Sequence, residues 1–156
     1  MSVIKTYKGQ LPIGQQETIH LSTNDGLTGY RISDFKIMGN KPGHTSGGTY
    51  EYIAKIYLTD QTGNITDNVN FSDTDLLAAI YQQDSASAAD NPAQVIMLDK
   101  ETFNQDIFIY IVDASGNTEP CNFYIELEQF SIDINSSTYH TLKNIRSLTG
   151  PGFEYL

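Results

Sequence analysis

The chain has 156 residues, the size of one domain, a formal net charge of −10 and a single cysteine, Cys121. The acidity argues against nucleic acid as a partner. One thiol rules out an internal disulfide and a cysteine-pair metal site, and no apolar stretch is long enough to span a membrane.

Ten Tyr and seven Phe incline the composition to pleated sheet. Val3 to Lys8 alternates as a strand. Gly9 to Gly14, with Pro12, turns the chain, and Glu17 to Ser22 is a second strand ended by Asn24-Asp25-Gly26. The opening Met1 to Lys5 lacks the apolar core of a signal peptide, so synthesis and folding in a cytosol are expected. Tyr30 to Met38 is a strand whose apolar parity changes at Ser33-Asp34, which predicts a β-bulge or a passage between two sheets.

Gly39 to Gly48, with Pro42 and His44, is expected as an exposed loop. Tyr50 to Leu58 has the clearest alternation. Tyr50, Tyr52, Ala54, Ile56 and Leu58 point one way, while Ile53 and Tyr57 mix with Glu51, Lys55 and Thr59 on the other side. After a turn over Asp60 to Asn64, the segment 72–81 is expected as a short helix. Ser72 would cap it with Asp75 in capping-box position, and Leu76, Leu77 and Ile80 would form its apolar face.

Asp84 to Pro92 reads as a loop and Gln94 to Leu98 as a short apolar strand. Ile107 to Val112 is a strand covered on both faces. A turn over Asp113 to Pro120 leads into a long strand, Asn122 to Ile134, with a second parity change expected near Glu128-Gln129. An amphipathic helix is expected over 136–148, with Tyr139, Leu142, Ile145 and Leu148 at three-residue steps, followed by a tail over 150–156. These elements predict a mostly-β chain. They form a single domain over 1–156, an antiparallel two-sheet sandwich of jelly-roll or Ig-like type.

Few constellations point to chemistry. His20, His44 and His140 are far apart and form no zinc motif. Asp60, Asn64, Asp67, Asp73 and Asp75 could line an oxygen-rich calcium loop, but their spacing is not that of an EF-hand. Turn and cap roles, in which Asp and Asn bond to nearby backbone, are the preferred account of them. Glu126 and Glu128 share a strand face at a separation near that of paired glycosidase carboxylates, yet alternating acids usually mark a solvent side. The expectation is a protein without enzymatic activity, cofactor or bound metal.

The run from Asp99 to Glu128, with the opening Lys5-Thr6-Tyr7-Lys8-Gly9-Gln10-Leu11-Pro12 and the segment Asn24-Asp25-Gly26-Leu27-Thr28-Gly29-Tyr30, resembles small virion-associated proteins of tailed marine bacteriophages. The resemblance implies a capsid decoration (cement) protein on the virion surface, bound to the major capsid protein and assembled as a homo-oligomer, in the usual case a trimer. A tail or fibre component and a carbohydrate-binding module remain as alternatives. The contact elements expected are the loop around Gly43 and His44 and the apolar tail with Phe153, Tyr155 and Leu156. Neither nucleic acid nor a membrane is an expected partner.

Overall fold

A computed structural model describes residues 3–21, 27–42, 49–85 and 94–132. Among the described residues eight strands run in chain order: β1 (Val3–Leu11), β2 (Gln16–Ile19), β3 (Thr28–Gly39), β4 (Thr49–Tyr57), β5 (Leu76–Ser85), β6 (Gln94–Leu98), β7 (Ile107–Asp113) and β8 (Cys121–Ser131). They form two antiparallel sheets, ordered β1-β8-β3 and β2-β7-β4-β5-β6. One antiparallel bridge lies outside these strands: Tyr30 on β3 and Phe103, a few residues past β6, exchange N–H to C=O bonds of 2.8 and 2.9 Å.

Alternation explains why the sheets pack. Phe123, Ile125 and Leu127 of β8 share a parity and turn inward beside Phe35 and Ile37 of β3. They meet Tyr52, Ala54 and Ile56 of β4 and Ile107, Ile109 and Ile111 of β7. Each fully buried Ile or Phe stabilises the packed state by about 1.5–3 kcal/mol.

The bulge expected at Ser33-Asp34 is present. The pairing of β3 with β8 slips between Ile32 and Asp34, which keeps both Ile32 and Phe35 in the core. The change expected near Glu128-Gln129 is absent. Both neighbours of β8 keep a continuous register there, and Phe130 stays on the outer face with Glu126 and Glu128. The Arg31 guanidinium covers its ring at 5.4 Å, so an apolar side chain is tolerated on that side.

The helix expected over 72–81 is not formed. Residues 71–75 turn, and Leu76 onward is strand β5. The Asp75 carboxylate accepts from the Thr59 hydroxyl and from Gln61 Nε2 instead of closing a capping box. Leu76 to Ile80 is buried throughout because the strand is covered on both faces. A short continuous apolar run of this kind satisfies helix and strand patterns alike. The helix expected over 136–148 and the tail over 150–156 lie outside the described residues.

The second covering comes from residues 58–75, which fold back over the outer face of the larger sheet. Tyr57, Leu76 and Tyr110 form a small core there with Ile65, Met97 and Val112. The mixed face of β4 is explained by this layer: Lys55 is fully buried in it and donates to the Asn68 carbonyl.

Candidate functional site

A groove of about 910 Å³ opens where β6 runs beside β3. Its floor and walls are mostly apolar, with Ile37 and Met38 from β3, Phe123 and Tyr124 from β8, and Ile96 from β6. Lys8 and Lys36 bring positive charge to it, and Gln82, Gln94 and Asn122 bring amides. The Gln82 Oε1 atom is buried and accepts no hydrogen bond. The groove lies where β3 and β6, which belong to different sheets, run side by side, and past the end of β6 Phe103 bridges Tyr30 of β3.

Lys36 also pairs with Asp34 at 3.1 Å and lies 5.9 Å from the Tyr124 ring centre. The hydrogen bond and charge of Asp34 raise its ammonium pKa. The Tyr124 hydroxyl donates to Glu126 at 3.3 Å. Burial, followed by the Glu126 charge, raises the phenol pKa.

The two carboxylates singled out from sequence share the outer face of β8, as expected, but each has its own partner. Glu126 accepts from Ser33 and Tyr124, while Glu128 pairs with Arg31 at 3.1 Å. Both are tied into a surface ladder rather than held apart across a cleft.

The acidic run is brought together in part. Asp60, Asp73 and Asp75 line a small polar pocket of about 280 Å³ with Asn64, Gln61 and Thr59. Their oxygens are used locally. Asp60 accepts from Thr62 and Gln16, and these bonds, with the Thr62 hydroxyl first, hold its carboxyl below the usual range. Asp73 accepts from Asn70. Among the described residues, no three carboxylate, imidazole or thiol side chains converge as a metal site requires. His20 pairs with Asp106 at 3.1 Å on the surface. Cys121 is buried, as a small core residue should be, and burial pushes its thiol up to about 12.

The contact residues expected from sequence, Gly43, His44, Phe153, Tyr155 and Leu156, lie outside the described residues. The groove was not foreseen, since it joins residues distant in sequence. Two local signals pointed toward it. Met38 is an apolar side chain on the polar side of its strand, and Gln94 to Leu98 carries no charge. No protein-family model matches the chain, and no curated protein matches it.

Proposed function

We propose that this chain is a non-enzymatic structural protein of a phage particle, a capsid decoration protein that stabilises the shell by binding between major capsid subunits. The observation that carries this reading is the nesting of strand pairs. β1 pairs with β8, β2 with β7 and β4 with β5, and Phe103 after β6 bridges β3. A long hairpin rolled on itself gives this order. We therefore favour the jelly roll over the Ig-like alternative, and viral capsid domains are among the users of that fold. Fold alone does not set function. The resemblance of the 99–128 segment to virion proteins and the apolar groove beside β3 and β6 add to the case. The mechanism is interfacial: copies bury surface at each junction, and many repeated contacts stabilise the shell by mass action.

The decisive experiment is cryo-electron microscopy of purified particles made with and without this chain. The expected result is extra density on the outer shell at subunit junctions, present only with the chain, and shells that open at lower temperature without it. Density confined to the tail, or none on the particle, would overturn the reading.

A carbohydrate-binding module on the virion is the second reading. The unpaired Gln82 acceptor, the Asn122 and Gln94 amides and the Tyr124 ring in one groove favour it, because amides and an aromatic face are what a sugar requires. A glycan array with no binder removes it.

A further inference from the structure

Resting on the reading of the chain as a carbohydrate-binding module, the geometry points to an anionic saccharide, a sugar bearing a carboxylate or a sulfate, as the ligand of the groove between β3 and β6. The register of the smaller sheet sets the anchor. Lys8 of β1 and Lys36 of β3 both pair with Tyr124 of β8, one on each side. Side chains directly opposite one another on neighbouring strands share a face. The three therefore form one row, a phenol between two lysines, with the lysine Cα atoms about 10 Å apart. All three line the groove.

Nine Lys and Arg stand against nineteen Asp and Glu in the whole chain. At the groove the balance is reversed. Lys8 and Lys36 line it with Asp34, the one carboxylate among the described lining residues. Asp34 pairs with Lys36 at 3.1 Å, whereas Lys8 makes no ion pair among the described residues. Glu126, in the next row, accepts from the Ser33 and Tyr124 hydroxyls. An anion seated against Lys8 meets that ammonium at contact distance, while exposed charges more than about 8 Å away are largely screened at physiological salt. The net charge of −10 therefore opposes it little.

Other features of the lining narrow the anion to a sugar. Gln82 Oε1 is buried and accepts no hydrogen bond, so the ligand that completes it brings an O–H or N–H donor. A fatty acid carboxylate has no such donor. Tyr124 and Ile96, which is 45% exposed, offer apolar area to the C–H face of a sugar ring. The amides of Gln94 and Asn122 can donate to or accept from its other hydroxyls. A neutral sugar uses the amides and the ring but leaves Lys8 without a counter-charge. A nucleotide brings donors and a ring too, yet the double charge of its phosphate meets Asp34 as well as Lys8. The volume of about 910 Å³ is that of a small-ligand site and admits a short oligosaccharide.

Titration calorimetry on the full chain tests this with two matched pairs of probes. Trigalacturonate is compared with its methyl ester, and a sulfated galactotriose with the same sugar after desulfation. In at least one pair the anionic member should bind at least tenfold more tightly, and the pair that responds tells carboxylate from sulfate. Lys8→Gln should weaken that binding at least fivefold. Lys100→Gln makes the same charge change outside the groove and should leave it unaltered; the circular dichroism of both variants should match the parent chain. Uncharged members that bind as tightly as charged ones overturn the anionic ligand and leave the sugar reading standing. A glycan array of carboxylated, sulfated and neutral members with no binder sinks both. Tighter binding of adenosine monophosphate than of either sugar, or equal losses in Lys8→Gln and Lys100→Gln, also overturns the proposal.

Discussion

The Lys55 ammonium lies 5.0 Å from the centre of the Tyr110 ring and 5.9 Å from that of Tyr57, with no exposure to solvent. Two stacked phenol faces and the Asn68 carbonyl take the place of water around the charge. Lys55 therefore fastens residues 58–75 to the larger sheet.

Lys55→Ala should cost about 3 kcal/mol, chiefly from the packing lost around a fully buried side chain. Lys55→Met keeps most of the volume and should cost about half as much. Chemical denaturation measures both. Amide exchange should quicken around residues 64–70 in both variants.

Stability should fall in alkali. In the folded chain burial pushes the Cys121 thiol up to about 12, and burial also raises the Tyr52 and Tyr57 phenols. The unfolded chain releases the thiol proton near 9.0 and the phenol protons near 10.0. The folded state then holds more protons than the unfolded one. The contribution of these groups is complete below about pH 9 and is lost as pH rises toward 12, at about 1.4 kcal/mol per pH unit for each titrating group. Denaturation midpoints measured from about pH 8 to pH 11 should trace this decline. Cys121→Ala should remove the part that begins near 9.

Deleting Ser33 should leave the fold intact. Ser33 is the extra residue of the bulge, and without it Ile32 and Asp34 become neighbours opposite Leu127 and Glu126, so Tyr30, Ile32, Phe35 and Ile37 share one parity and still face the core. Ser33→Ala keeps the chain length and loses a surface hydroxyl bond to Glu126, so it should cost no more than about 1 kcal/mol. Soluble yield and circular dichroism should match the parent chain for both variants, and a deletion variant that does not fold would show that the bulge itself is required.

Gly29→Ala should destabilise by about 1–3 kcal/mol. A Cβ there would sit 2.8 Å from Ile132 Cγ2, 3.1 Å from Thr102 Cγ2 and 3.2 Å from Phe130 Cε2, in a corner already closed by the Tyr30–Phe103 bridge. Thermal unfolding tests it.

Sheet content was legible because period-two alternation is local. β4, β6 and β7 were placed to within a residue, and the β3 bulge followed from a parity change between Ile32 and Phe35. The second parity change misled because Phe130 is screened by Arg31, a partner from another strand. β5 was mistaken for a helix because Leu76 to Ile80 is buried on both faces, and the layer over residues 58–75 that buries one face arises only on folding. The groove was illegible for the same reason: Ile37, Phe123 and Ile96 are dozens of residues apart along the chain.

The extra layer held by Lys55 also divides the molecule into halves of unequal persistence. β4 is buried from Tyr52 through Tyr57, and its neighbour β7 is enclosed across Ile109 to Ile111. Water reaches these amides last, whereas among the described residues the outer side of the three-stranded sheet is only half-buried along β8 and exposed at Lys36 and Met38 of β3. When the chain begins to open, β1 and the outer edge of β3 should loosen while β4 and β7 still hold together, so a partner gripping the smaller sheet would brace the half that yields first.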